Sequence, residues 1–504
     1  MAAPHTRKNG NRDQYRGIFS FFSTGILVAA VTGCFALLWY HEYSSALLLP
    51  FYRRGNWVVI LLYAVWMLVF GKAFGGLRVG YLKRSDLFYS QMLSLCCVNL
   101  VNYLQISLIS RHFVRCLPMI GLLGVDLVIL LLWIVLCNLV YFRIYPPRRL
   151  IIVYGDKAAG ELVLKMSQRV EKYMICASID IQQDTETILK TISEYEGVIL
   201  CDVPGQLRND LLKYCFSQQL RTYVVPKISD IMIRGGEDIR LFDTPLLLCR
   251  NSGLRIEQRF LKRLLDLCFV LVLVLPALLL SGVVFVAIKL DDHGPVLYRQ
   301  ERLTYHGKKF YVYKFRSMIC DAEAAGGPQL AKTEDARVTR VGKWLRKCRL
   351  DEIPQLWNIF KGEMSVVGPR PERPELAAEY EKQMPEFSFR LQVKAGLTGY
   401  AQVVGLYDTT PYDKLKMDLM YIENYSLLLD LQILLMTVKT ALFPSASNET
   451  LHEQTHIPVQ IHTVPPSEED AKDAKDAEDA EDAENAENAE NAEEDAEEKK
   501  ETSL

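Results

Sequence analysis

Residues 267–288 read LCFVLVLVLPALLLSGVVFVAI, 22 positions without a charge, and how this run meets a bilayer decides the architecture around it. As a helix it is long enough to cross about 30 Å of hydrocarbon. Lys262, Arg263 and Asp266 precede it, and Lys289, Asp291 and Asp292 follow. Pro276, near the middle, has no amide hydrogen and crowds the preceding turn, so a kink is expected there.

Four more apolar stretches lie upstream, at 17–40, 57–71, 87–109 and 119–142, and read as membrane spans. The first lacks a small-residue cleavage site and three others follow it, which disfavours a removed signal peptide. One side of these spans collects eleven basic residues: Arg7, Lys8, Arg12, Arg16, Lys72, Arg78, Lys83, Arg84, Arg143, Arg148 and Arg149. The other has four: Arg53, Arg54, Arg111 and Arg115. The positive-inside rule then puts the N-terminus and residue 145 in the cytoplasm. A fifth crossing would export 299–361, which holds 14 Lys and Arg against 7 Asp and Glu. A re-entrant helix turned back at Pro276 satisfies both charge and parity; a plain kinked span is the alternative.

The rest of the chain divides by pattern. From 149 to 250, short apolar runs such as LIIVYG, MICASID and GVILCDV alternate with helix-prone segments, the signature of a parallel, Rossmann-like sheet. Its first turn has Gly155 and Gly160 but Tyr154 where a dinucleotide fingerprint needs glycine, and Glu161 where a Walker loop needs lysine. An ordinary strand-to-helix turn is therefore expected. Helices are expected at 372–384 and 412–440 in the last folded unit, 291–445.

Composition agrees with a multi-domain membrane protein. The 504 residues correspond to about three domains, and a hydrophobic half excludes wholesale disorder. The net charge of −2 conceals a contrast: residues 468–504 hold 18 acids and 4 bases, so this tail is −14 and the other 467 residues are +12. The tail's three-residue repeat keeps no apolar face on a helix, so a solvated tail is expected. Twelve scattered cysteines without a CxxC pair fit a reducing compartment rather than a disulfide framework or zinc site.

Chemistry concentrates in RKCRLDEIPQLWNIFKGEMSVVGPRPER at 346–373. The adjacent carboxylates Asp351 and Glu352 follow Arg346, Lys347 and Arg349, with Arg370 and Arg373 in a Gly-Pro-Arg-Pro segment. A carboxylate nucleophile in a basic setting suits attack on phosphorus, with Mg²⁺ screening a diphosphate and arginine forks holding its oxygens. Taken alone, the pair is more often a helix start with local ion pairs, Pro354 marking a first turn.

Several ordered motifs shift that balance: GPVLYRQERLTYHGKKFYVYKFRSM at 294–318, LDEIPQLWN at 350–358, KGEMSVVGPRP at 361–371, GLTGYAQVVG at 396–405 and YIENYSLLLDLQILL at 421–435. Over about 259–443 the chain resembles the bacterial sugar transferases, the polyprenyl-phosphate hexose-1-phosphate transferases. Its plan of four spans, a small Rossmann-like domain and this unit resembles the long members. The resemblance implies that Asp351 is the nucleophile attacking the β-phosphorus of a UDP-sugar, releasing UMP and leaving a covalent sugar phosphate. Polyprenyl phosphate, undecaprenyl phosphate in most bacteria, then takes the sugar phosphate by ping-pong kinetics. Glu352 is implied as its partner, Arg370 as phosphate clamp, Arg346, Lys314 and Arg316 as further anion ligands, and Asp351 and Asp430 as contributors to a Mg²⁺ site. Asp418 is a weaker candidate, expected as a surface carboxylate on the same helix as Asp430. Lys262, Arg263, Asp266 and Pro276 correspond to the membrane motif, where basic side chains meet headgroups and the carrier phosphate; ordinary interfacial anchoring is the alternative for the two bases. Three positions depart from the family pattern: Leu275 for Ser, Arg349 for a small hydroxyl residue, and Ala395 for Pro.

The expected organisation is a four-span region at 1–145, a Rossmann-like cytoplasmic domain at 146–255, a re-entrant helix at 256–290, a mainly α, mixed α/β catalytic domain at 291–445, and a linker with acidic tail at 446–504. Such a protein is expected in a bacterial inner membrane with its catalytic domain cytoplasmic, initiating exopolysaccharide, capsule or O-antigen-type glycans. Expected partners are a UDP-sugar, polyprenyl phosphate and the lipid bilayer, with no nucleic acid; a homo-oligomer and contacts to polysaccharide assembly proteins are compatible. Two rivals remain. A membrane-tethered nucleotide-sugar dehydratase or epimerase would use Tyr412 and Lys416, which have the Tyr-x-x-x-Lys spacing but no glycine-rich fingerprint before them. A non-catalytic scaffold of the assembly machinery is the other.

Overall fold

The computed structural model describes residues 15–45, 47, 51, 54–77, 79–155, 159–249, 253–319, 337–405, 409–443 and 462–463. Expectations on Arg7, Lys8, Arg12, Arg53, Arg78 and, apart from 462–463, the linker and acidic tail at 446–504 lie outside these residues. The chain forms two compact units, one holding Phe142–Val225 and the other Arg16–Tyr141 with Pro226–Glu453.

Four helices open the chain: α1 (Arg16–Leu38, prolonged by a π-helical turn at Trp39–Tyr43), α2 (Arg54–Ala73), α3 (Arg84–Ser110) and α4 (Leu117–Ile144). Each is long and apolar enough to cross a membrane. Leu27, Val31, Met67, Leu95 and Leu130 are buried between them, and the Phe35 and Tyr63 rings stack at 4.1 Å. Outward-facing residues such as Phe21, Leu61, Leu108 and Leu132 are exposed, the inverse of a soluble bundle and suited to lipid. Inside the bundle, Tyr63 Oη donates towards Asn99 Oδ1 at 3.0 Å and Asp126 Oδ2 at 3.3 Å.

The smaller unit is built on β1 (Arg148–Tyr154), α5 (Ala159–Ser167), β2 (Tyr173–Asp180), α6 (Thr185–Ile192), β3 (Gly197–Cys201), α7 (Gly205–Ser217) and β4 (Arg221–Val224). The strands are parallel in the order β2-β1-β3-β4, with His462–Thr463 pairing on the outer side of β2. The central strands are apolar on both faces because both are covered: Ile151, Val153 and Val198 meet Ile188, Ile192 and Leu211, whereas Leu150, Ile152 and Ile199 meet Ala159 and Val163. The expected parallel sheet is thus present, and helices cover both of its faces.

The larger unit continues with α8 (Ile228–Arg234), the antiparallel hairpin β5 (Glu237–Leu241) and β6 (Thr244–Leu248), and the 37-residue α9 (Ile256–Asp292). Then come the hairpin β7 (Leu297–Leu303) and β8 (Lys309–Phe315), α10 (Arg340–Lys347), a 3₁₀ turn at Leu350–Glu352, α11 (Gln355–Lys361), β9 (Ser365–Val367), α12 (Pro374–Gln383), β10 (Gly396–Thr398), α13 (Tyr400–Val404), α14 (Pro411–Glu423) and α15 (Leu427–Leu442). Ile359, Met364, Val366, Leu415, Leu419 and Ile433 form its core.

Two expectations change. Ile228, Ile231 and Leu254 belong to this core, so the compact sheet unit ends at Val225 rather than 255. The helix expected over 412–440 is two helices, because Ser426 leaves helical geometry and its Oγ caps α15 by accepting from Leu429 N at 3.1 Å. At Pro276, where a kink is expected, α9 continues as a single helix.

Both ends of α9 nevertheless engage the same unit. Near its start, Asp266 accepts hydrogen bonds from Ser365 Oγ at 2.9 Å and Val366 N at 2.8 Å. Near its end, Val284 and Ile288 pack with Phe315 and Leu345, Asp291 accepts from Val341 N at 3.2 Å, and Asp292 pairs with Arg316. The apolar stretch between, including Leu271, Leu275, Leu279 and Val283, is exposed.

Candidate active site

The 3₁₀ turn carrying Asp351 and Glu352 begins at Arg349, whose φ of 57° lies in the left-handed region that non-glycine residues rarely adopt. Thr339 starts the approach by capping α10, accepting from Gly342 N at 3.0 Å. The turn then packs on β8, and Lys314 of that strand lies 3.1 Å from Glu352 Oε1. Arg349 Nη1 stands 4.0 Å from the other Glu352 oxygen. Burial alone would raise the Glu352 pKa, but Lys314, Arg370 and Arg349 outweigh it and hold the carboxyl below its ordinary range.

Asp351 differs. Its carboxylate is buried and, among the described residues, has no hydrogen-bond or ion-pair partner. Burial and the Glu352 charge push its pKa up, against the pull of Lys314, Arg346 and Arg349. Two adjacent carboxylates are therefore driven apart electrostatically: one is neutralised by fixed cations, the other left more basic and unengaged.

Arg370 is exposed, in the loop after β9, and its charge reaches Glu352. Two further arginines grip that loop's backbone. Arg302 Nη1 donates to Pro371 O at 3.1 Å and Arg390 Nη2 to Arg370 O at 3.0 Å. Arg390 Nη2 also lies 2.7 Å from Asp418 Oδ2. Asp418 was expected at the surface; it is buried because α14 turns it inward onto Arg390, and burial, partly offset by that guanidinium, raises its pKa to about 6. Neither Arg302 nor Arg390 stood out in the sequence, since each sits singly outside the basic clusters. β9 and β10 complete the support, pairing in parallel so closely that a Cβ on Gly396 would overlap the Gly368 backbone.

The remaining candidates fall in two places. Arg346 Nε donates to Ser317 Oγ at 2.8 Å and its charge is felt by Asp351, so it belongs to the carboxylate site. Arg316 is buried and pairs with Asp292 at the end of α9. Lys262 donates to Asp430 Oδ2 at 2.7 Å and to Tyr421 Oη at 2.9 Å, while Tyr421 Oη lies 2.7 Å from Asp430 Oδ1. Arg263 donates to Ile359 O at 2.6 Å and Phe360 O at 2.7 Å, satisfying carbonyls at the end of α11. Lys262 and Asp266 thus turn into the protein, because a buried charge needs a partner that lipid does not provide, whereas Arg263 stays part-exposed. Pro276 is exposed within the apolar stretch of α9.

Among the described residues no three His, Cys, Asp or Glu side chains converge to hold a metal. Both Asp430 oxygens are engaged by Lys262 and Tyr421. Asp351 and Glu352 fit Mg²⁺ in the mode where one or two carboxylates share the ion with substrate phosphates. The departure at Ala395 also acquires a contact: its N–H donates to Thr304 Oγ1 at 3.2 Å, a bond proline could not make. Tyr412 and Lys416 are a local pair, Lys416 Nζ lying 4.2 Å from the Tyr412 ring centre and 3.5 Å from Asp413 Oδ1.

Residues 257–444 match the bacterial sugar transferase family. The chain is 31% identical over 315 residues to an undecaprenyl-phosphate glucose phosphotransferase of Komagataeibacter xylinus, covering 59% of each protein. It is 40% identical over 247 residues to a UDP-N-acetylgalactosamine-undecaprenyl-phosphate N-acetylgalactosaminephosphotransferase of Aeromonas hydrophila, covering 48% of this chain and 56% of the relative. It thus spans less than two thirds of these two relatives. A UDP-glucose:undecaprenyl-phosphate glucose-1-phosphate transferase of Caulobacter vibrioides is 40% identical over 211 residues, which are 40% of this chain and 77% of that protein. On this likeness, and on the match across α9 and everything packed against its two ends, the chain belongs to the bacterial sugar transferase family.

Proposed function

We propose that the protein transfers a sugar 1-phosphate from a UDP-sugar to polyprenyl phosphate, undecaprenyl phosphate in the relatives' names. The observation that carries this reading is the buried, unpartnered Asp351 carboxylate beside a Glu352 neutralised by Lys314 and Arg349. An Asp351 oxygen attacks the β-phosphorus, the bond from that phosphorus to the bridging oxygen breaks, and UMP leaves with the electron pair. A phosphate oxygen of the lipid then attacks the same phosphorus, the aspartyl–phosphorus bond breaks, and polyprenyl diphospho-sugar is released with Asp351 regenerated. Arg370 and Arg346 hold phosphoryl oxygens, and Glu352 keeps Lys314 and Arg349 in place beside the nucleophile. Bound at Asp351 and Glu352, Mg²⁺ would supply charge screening of the diphosphate.

The same proposal covers topology. A straight helix touching one unit at both ends would also press its middle against that unit; the exposed middle of α9 favours an arch that dips into one leaflet and returns. With α1–α4 spanning, this keeps the basic catalytic region cytoplasmic in a bacterial cell membrane and reads the sheet unit as Rossmann-like. Such a product starts a lipid-linked polysaccharide. The test is incubation of the full chain with Mg²⁺, polyprenyl phosphate and a panel of UDP-sugars, measuring UMP release. Wild type should release UMP with one sugar, and Asp351→Asn should fall by a factor on the order of 10⁴ or more. Retained transfer by the Asn variant would remove the nucleophile; no release by wild type with any sugar would favour the scaffold reading.

A further inference from the structure

Lys394 precedes β10 and lies near the start of α9, apart from the carboxylate pair. It is half-buried, and among the described residues its ammonium has neither a hydrogen bond nor an ion pair. Its nearest charged company is cationic. A Cβ placed on Gly362 would lie 3.5 Å from Lys394 Nζ and 3.5 Å from both Cζ and Nη2 of Arg263, so the two cations flank one point. Gly362, with φ of 85°, closes α11 in the left-handed region and leaves that point without a side chain.

The surroundings offset this charge only in part, through Asp266. Lys262 is bonded to Asp430, and Asp266 accepts from Ser365 and Val366. Lys262, Arg263 and Lys394 against Asp266 and Asp430 leave one positive charge over. Nor does Lys394 cap α11, because the carbonyls of Ile359 and Phe360 receive Arg263 and that of Asn358 receives Gly362 N at 3.1 Å. Burial, and then the neighbouring Arg263, pull the Lys394 pKa below its ordinary value against the opposing charge of Asp266. Two part-buried cations held together with one positive charge in excess are unfavourable unless an anion joins them.

We propose that Lys394 and Arg263, over the side-chain-free Gly362, form a binding site for a lipid-borne phosphate monoester. Its position fits such a ligand. Arg263 is one helical turn before the apolar stretch of α9 begins, so a phosphate here can keep its hydrocarbon in the bilayer. The Lys394 backbone also packs against Gly368, two residues before Arg370, which puts the site on the loop pair that supports the phosphate clamp. The inference rests on the transferase reading in taking the acceptor, polyprenyl phosphate, as the ligand; a bulk phospholipid headgroup, a phosphate diester, shares only the phosphoryl oxygens.

The test uses the full chain in nanodiscs of zwitterionic lipid and a fluorescent polyprenyl phosphate as probe. Lys394→Gln should weaken its equilibrium binding about tenfold, whereas Lys394→Arg should keep most of it. UMP release before acceptor is added should be unchanged, and the KM for polyprenyl phosphate should rise without a matching rise for the UDP-sugar. Unchanged probe affinity in Lys394→Gln overturns the site. Doping the discs with phosphatidylglycerol separates the two sources: competition in wild type that disappears in Lys394→Gln assigns the site to lipid phosphates generally, and no competition assigns it to the acceptor. Because binding is read without turnover, absence of UMP release in wild type would defeat the transferase reading while the binding arms still decide this one.

Discussion

At the scale of single residues, charges near the site are sorted by whether each has a fixed partner. Glu352 is neutralised by Lys314 and Arg349, Asp430 by Lys262, and Asp418 by Arg390, leaving Asp351 as the carboxylate without one. Arg390 is the most consequential of these partners, because it also holds the carbonyl of Arg370. Arg390→Met should destabilise the larger unit by about 3–5 kcal/mol at neutral pH, since it strands a buried carboxylate. The sign with pH follows. Asp418 titrates at about 6 even with the guanidinium beside it, and higher without it, so acidification through that range neutralises the stranded group. The gap between wild type and variant in thermal unfolding should therefore narrow as pH falls from 7.5 towards 5; a gap independent of pH would remove Asp418 from the account. Asp351, Glu352 and Arg370 were legible in the sequence because they stand together in one dense motif. Arg390, Arg302 and Lys394 were not, because what makes each matter is a neighbour distant in sequence.

At the scale of elements, α9 is the piece whose behaviour pattern alone left open. Length and charge parity found it, and Pro276 was expected to kink it; the helix runs through the proline as one element, and both of its ends attach to the same unit. Asp266 holds the first end to β9, while Asp291 and Asp292 hold the second to α10 and β8. The two exposed positions Phe260 and Leu290 flank the apolar stretch. Introduced singly as cysteines in a cysteine-free background, both should react with a membrane-impermeant thiol reagent from the cytoplasmic side of inverted vesicles. Opposite sidedness would make α9 a plain span. The split between α14 and α15 was missed for a related reason: Ser426 reads as one polar residue in a helical pattern until its hydroxyl is seen to cap Leu429 N.

At the scale of the whole molecule, the +12 carried outside the acidic tail would, on the proposed function, favour the meeting of a nucleotide diphosphate and a lipid phosphate. Salt should weaken that attraction, so the KM for the UDP-sugar should rise with ionic strength while single-turnover formation of the covalent intermediate at saturating substrate changes little; a salt-insensitive KM would confine recognition to buried contacts. The clamps on α9 also have a consequence in time. The partner of Lys262 is 168 residues downstream and those of Asp266 are 99 and 100 residues downstream. At about 5–20 residues per second of synthesis, roughly 10–30 s pass between the emergence of Lys262 and that of Asp430. For the first roughly 5–20 s of that interval, until Ser365 and Val366 emerge, a greasy helix is presented to the insertion machinery before the strand that holds its first end is made. Its orientation is thus a decision completed after translation of the segment, and a nascent chain stalled before residue 365 should leave α9 free to adopt the ordinary spanning state.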